Sequence, residues 1–154
     1  GEIIIDEKKV DLNNQNWRNQ IGYLSSNTYL LDETIKQNII FSDDIKVDEQ
    51  HLLNSIKFSE LEDYINNTSN GINTYLGDDG AKISSGQKQR LGLARLFYSN
   101  KNILFFDEAT NSLDKHTEKK IFENLRLLNK NSTKFIISHD NTNLDLCDKI
   151  IDIK

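Results

Sequence analysis

At 154 residues the chain is one domain's worth, long enough to bury a core, and its 28% charged and 36% hydrophobic residues are ordinary for a globular protein. A net charge of -5 and a pI near 5.2 speak against a nucleic-acid binder, which presents a basic face. The lone Cys147 excludes a disulfide framework and fits a reducing compartment; no apolar run approaches the ~20 residues of a membrane helix, and no signal peptide is visible.

In chain order, residues 1–12 predict a β-hairpin or two edge strands: Ile3, Ile4 and Ile5, a polar turn at Asp6-Glu7-Lys8, then Val10 and Leu12. Residues 20–24 predict another strand. A helix is expected to start at Asp32 and run through Ile35 and Ile39. A second follows Asp48, with Leu52, Leu53 and Ile56 on one face, and Ser59 and Glu62 have capping-box spacing ahead of Leu61, Tyr64 and Ile65. These helices read as a small subdomain with core on one side and solvent on the other; His51 has no partner pattern and reads as exposed. Residues 66–73 are polar and turn-rich, a surface loop.

Residues 83–114 carry the chemistry. Ile83-Ser84-Ser85-Gly86-Gln87 opens a helix that continues through Leu91, Ala94 and Phe97. Such an opening offers unpaired N–H groups and the positive end of a helix dipole, to which Ser84 adds a hydroxyl, while Gly86 allows close approach to a phosphate. A cap by Ser84 or Ser85 would explain the same residues without a ligand. Lys88, Arg90 and Arg95 are expected to be solvated or paired on the helix face. The apolar strand Ile103-Leu104-Phe105-Phe106 then empties into Asp107-Glu108, whose side chains leave a strand on opposite sides. Asp114 can cap a helix with an apolar stripe of Ile121, Phe122, Leu125 and Leu128, in whose first turn His116 and Thr117 are not ligand candidates. A buried strand, Phe135-Ile136-Ile137, ends at Ser138-His139-Asp140. A short helix over 141–147 and a last strand over 149–154 complete the chain, which has no internal repeat.

This order of residues closely resembles the nucleotide-binding domain of ABC transporters. Residues 83–87 match the family's signature loop (L-S-G-G-Q, here I-S-S-G-Q), residues 103–108 its Walker B strand with the following glutamate, and Ser112 to Asp114 its D-loop. Residues 32–39 look like the exporter pattern D-G-T-I-x-x-N-I, and residues 74–80 like T-E-V-G-E-R-G, with Asp79 in place of the usual basic residue. The resemblance implies an α/β, P-loop NTPase-like fold: a mainly parallel sheet with strands near 20–24, 102–106, 134–138 and 149–153, an antiparallel N-terminal piece, and a helical subdomain within 32–80. It implies ATP and Mg2+ as ligands, with Ser84, Ser85, Gly86, Gln87 and Asp114 binding nucleotide. Asp107 would face the metal, Glu108 the attacking water, and His139 would be the switch histidine contacting the γ-phosphate. The family's glutamine after the 20–24 strand falls on Ser26, too short for the usual double role, though its hydroxyl could reach magnesium through a water.

The partners so implied are a transmembrane domain, in the same chain or separate, and a second nucleotide-binding domain as a dimer; no nucleic acid and no direct membrane insertion are expected. The implied location is the cytoplasmic face of the inner membrane. No methionine and no G-x-x-x-x-G-K-[ST] sequence occurs, so the chain reads as a domain cut after its P-loop, inactive by itself and prone to associate. Two rivals are a chromosome or DNA-repair ATPase, whose half-domains are split by long coiled coils, and a catalytically inert interaction module, for which Ser26 is the one argument.

Overall fold

The computed structural model describes residues 1–5, 7–11, 15–42, 46–127, 131–139 and 147–152. A two-stranded antiparallel ribbon, β1 (Ile4–Ile5) and β2 (Lys8–Lys9), is followed by a short helix α1 (Gln15–Arg18). The main sheet is parallel, in the order β3 (Ile21–Ser25), β4 (Ile103–Asp107), β5 (Thr133–Ile137). Tyr23, Phe105 and Phe135 share one row, and Ser25, Asp107 and Ile137 close the three strands together. Parallel strands need a long crossover. Here β3 and β4 are joined through the helical insertion and α5 (Ser85–Tyr98), and β4 and β5 through α6 (Lys115–Leu127).

Alternation sends Leu24, Leu104 and Phe106 to one face, where α5 and α6 cover them with Leu93, Leu96, Phe97, Ile121, Phe122 and Leu125. The other face is open: Tyr23 is 60% and Phe135 47% exposed, and the rings of Phe105 and Phe135 stack 4.7 Å apart. Parallel sheets are ordinarily covered on both faces.

A second core lies across α5. Leu91 and Ala94 pack against Leu30, Ile35, Ile39, Leu52, Ile56, Leu61, Ile65 and Leu76. These come from α2 (Ile35–Ile40), α3 (Glu49–Phe58), α4 (Glu62–Asn66) and the segments around them. α5 is therefore buried on two sides, with Leu91 and Ala94 in one core and Leu93, Leu96 and Phe97 in the other. It meets the sheet closely at Gly92, where a Cβ would sit 2.7 Å from Leu24 Cδ1 and Thr28 Oγ1.

Several local expectations are corrected. α2 is capped by Thr34, whose side chain accepts from the Gln37 amide, not started by Asp32; pairing of residues 33–35 with 74–76 holds Asp32 outside the helix. Ser59 does not cap α4. It ends α3, where Glu60 turns left-handed (φ 58°) and the Leu61 N–H closes back on the Ile56 carbonyl, so residues 59–61 complete the earlier helix. Leu53 faces solvent, since Leu52 and Ile56 already fill the core side of α3. His51 is half-buried: its Nε2 lies 3.1 Å from the Tyr98 carbonyl and its ring leans on the Tyr98 ring.

Residues 147–152 form no strand, and Ile150 and Ile151 are exposed. A strand exists by pairing, and no ladder reaches them among the described residues. Leu128, the 141–146 part of the expected final helix, Asp6 and Leu12 lie outside the described residues.

Candidate active site

Three strands end together, and the candidate residues cluster just beyond. Asp107 is the last residue of β4; Glu108 follows in a left-handed conformation, φ 50°. Its direction is thus set by the turn and not by strand alternation, which corrects the simple opposite-sides expectation. Its N–H donates to the Ile137 carbonyl at 3.0 Å, tying the start of the turn to β5. The carboxylate is gripped at both oxygens: Asn111 Nδ2 donates to Oε2 at 2.8 Å, and His139 Nε2 lies 2.9 Å from Oε1. His139 is otherwise exposed, whereas the Glu108 side chain is 30% accessible. A carboxylate and an imidazole from neighbouring strand ends therefore face one open space.

Asp107 points onto the open face of the sheet, where the Tyr23 hydroxyl donates to Oδ2 at 2.7 Å. That hydrogen bond, with the nearby negative charge, raises the Tyr23 phenol above its ordinary range. Ser26 is exposed and follows Ser25, the register partner of Asp107, so it lies at the same end of the sheet. The donors here are hard oxygens, and no cluster of three His, Cys, Asp or Glu side chains occurs among the described residues. Such a set suits Mg2+, which keeps most of its waters and takes one or two protein oxygens beside phosphates.

The opening turn of α5 forms a second group. Ser84 and Gln87 make a capping box: the Gln87 N–H donates to Ser84 Oγ at 3.2 Å and the Ser84 N–H donates to Gln87 Oε1 at 2.9 Å. The Ser84 hydroxyl is used as an acceptor, so its proton stays free to donate outward, and Ser85 is exposed. Gly86 touches the 108–114 turn, where a Cβ would come within 3.1 Å of the Ser112 carbonyl oxygen. At the end of that turn Asp114 caps α6: Oδ1 accepts from the His116 and Thr117 amides and Oδ2 from the Thr117 hydroxyl at 2.7 Å. Those bonds, that of the Thr117 amide first, hold its carboxyl below the usual range.

The structure thus brings Glu108, Asp107 and His139 to one end of the sheet, and Ser84 to Gln87 against the turn that follows Glu108. Ser26 makes none of the contacts that join the others. Sequence reasoning missed Asn111, Tyr23 and Gln89. Asn111 stands three residues after Glu108, a spacing that turns favour; Tyr23 lies on the same strand face as Ser25, and Ser25 is the register partner of Asp107; Gln89 shares a helix face with Gly86. Arg95, expected to be solvated or paired on the helix face, is paired: it donates to the Asn38 and Tyr29 carbonyls at 2.9 and 3.0 Å and stacks over Phe41.

The family model described as ABC transporter matches residues 1–111. An ATP-dependent lipid A-core flippase of Francisella tularensis subsp. holarctica is 34% identical over 152 residues, 98% of this chain and 25% of the relative. A Staphylococcus aureus protein named for multidrug export, an ATP-binding/permease protein, is 37% identical over 155 residues, 100% of this chain and 27% of the relative. A solved structure of a bacterial Atm1-family ABC exporter with ATP bound superposes with a TM-score of 0.85 at 30% identity, over 94% of this chain and 25% of that one. The chain spans about a quarter of the length of the curated relatives it matches. Among the described residues, no helix is long and apolar enough to cross a membrane.

Proposed function

The chain belongs to the ABC transporter family as an exporter-type nucleotide-binding domain, and from that premise we propose that it serves a protein that hydrolyses ATP to drive export across a membrane. The observation that carries the reading is the Glu108 carboxylate held between His139 at 2.9 Å and Asn111 at 2.8 Å where β4 and β5 end. Glu108 accepts the proton of the attacking water; His139 orients that water and donates toward the γ-phosphate; Asn111 keeps the carboxylate from swinging away. Phosphoryl transfer depends mainly on such positioning and on charge stabilisation. Asp107 would hold Mg2+ beside the phosphates, and the ion would supply neutralisation of phosphate charge.

Ser84, Ser85, Gly86 and Gln87 contact the nucleotide of a second domain in a dimer, through the free Ser84 proton and the outward amides of the α5 N-terminus. Asp114 acts at that interface indirectly, by shaping the turn. A transmembrane domain receives the motion, which puts this domain on the cytoplasmic face of the inner membrane. Ser26, in the position where the family's glutamine senses that partner, weakens the metal and coupling contacts there. These 154 residues contain no G-x-x-x-x-G-K-[ST] sequence, so by themselves they are expected to hydrolyse ATP negligibly.

The test is steady-state ATP hydrolysis by the complete protein with Glu108→Gln. We expect kcat to fall by about a hundredfold or more with ATP binding retained. Unchanged turnover would mean an inert module. Transport measured alongside would fall with kcat.

A further inference from the structure

Gln89 is 2% exposed, an amide inside a helix whose neighbouring buried residues are apolar. Its two polar atoms reach two points of one turn: Nε2 donates to the Glu108 carbonyl at 3.3 Å, and Oε1 accepts from the Ser112 N–H at 2.9 Å. Three residues earlier, on the same face of α5, Gly86 lies against the Ser112 carbonyl, 3.1 Å from where a Cβ would stand. The first turns of α5 are thereby fitted to residues 108–112 by one amide and one missing side chain. Glu108 needs such holding. Its backbone is left-handed, a region that residues with side chains occupy only where their surroundings over-determine it. Its N–H is held by the Ile137 carbonyl, and its carbonyl takes the Asn111 N–H as well as the Gln89 amide. An apolar residue would fill the space at 89 without burying an amide.

We propose that Gln89 is a positioning residue for Glu108, locking the opening of α5 to the 108–112 turn so that the carboxylate is aimed only while residues 84–87 are seated. This rests on the reading of Glu108 as the residue that activates water. A displacement of the α5 N-terminus is then carried to Glu108 through the buried Gln89 amide, beside the Gly86 contact with Ser112.

The experiment is ATP hydrolysis by the complete protein carrying Gln89→Met, near-isosteric and apolar, which removes both hydrogen bonds without leaving a void. The expected result is a kcat lower by about tenfold or more with KM for ATP within about twofold, the nucleotide-binding groups being untouched. Leu91→Val, on the opposite face of α5 in the other core, is the stability control: Tm falls and kcat holds. Gln89→Glu keeps the acceptor toward Ser112 and regains a donor toward the Glu108 carbonyl only when protonated. Its kcat relative to wild type should therefore rise as pH falls, burial favouring the neutral acid.

The proposal is overturned if Gln89→Met keeps wild-type kcat, or loses activity only in step with Tm as the control does. Should Gln89→Met not fold, the absence of low-pH recovery in Gln89→Glu overturns it equally. Glu108→Gln in the same assay separates the two claims. If that variant keeps turnover, the reading of Glu108 fails and takes the proposal with it. If it stops turnover while Gln89→Met does not, the positioning role alone fails.

Discussion

Arg95 shows how much one side chain can organise. Its guanidinium donates to the carbonyls of Tyr29 and Asn38 and to the Asn38 side chain, and it stacks 4.2 Å above Phe41, itself left-handed at φ 53°. Burial lowers its pKa to about 10. One planar fork thus joins α5 to α2 and to the loop after β3. Arg95→Lys keeps the charge but cannot span those acceptors, so it should cost about 2 kcal/mol or more in urea denaturation. Equal midpoints for the two proteins would contradict this. At this scale the sequence was legible where a residue's own backbone needs a partner: Asp48 and Asp114 cap helices because short acidic side chains reach the next amides. Ser59 and Glu62 had an equally good spacing, yet Arg90, Lys120 and Asn124 fix Glu60 in a left-handed turn that closes α3 instead. Those partners are 30 to 64 residues away, beyond any local pattern.

Among the elements, α5 is decisive because it faces two cores. Gly92 is one point where it nears β3, and Thr28, β-branched and buried, cannot yield to a new methyl. Gly92→Ala should destabilise by about 1–3 kcal/mol in urea titration, whereas a neutral result would show that the two elements can separate freely. The turn before α5 is held differently, by Lys88 Nζ 2.7 Å from Asp79 Oδ2. That bond lowers the Asp79 pKa, with a contribution from the Leu30 N–H. A depressed carboxylate stabilises the folded state above its unfolded pKa, roughly pH 4, and the contribution is lost as pH falls through the lower folded value. Asp79→Asn should therefore flatten the stability profile below roughly pH 4 and leave the shape of the neutral region unchanged; an unchanged acid limb would contradict it. The two-sided burial of α5 was not legible, since its apolar residues lie all round and give no single stripe.

For the whole molecule, the parallel sheet was expected from the family resemblance, and its apolar strands are separated by the long helical connections such pairing needs. The fate of the last strand was not legible, because an apolar run such as Ile150-Ile151 becomes a strand only when a ladder accepts it. The open face bearing Tyr23, Phe105 and Phe135 has a consequence in solution. Apolar surface of this kind drives association, so sedimentation of the 154-residue chain should show dimers or larger species, reduced by Phe135→Gln; a compact monomer at high concentration would count against it. The proposed site residues could be named from the sequence because the family motifs pick out their positions, and Asp107, Glu108 and His139 do stand at one end of the sheet. The grip on Glu108 was not legible, since it depends on Asn111, Gln89 and a left-handed backbone. The most direct measurement is a cryo-EM structure of the complete protein with Glu108→Gln, ATP and Mg2+. The account predicts the γ-phosphate within about 3 Å of His139 Nε2, with Asp107 on the metal side. Nucleotide bound away from this end of the sheet, or His139 turned out of hydrogen-bond reach, would contradict it.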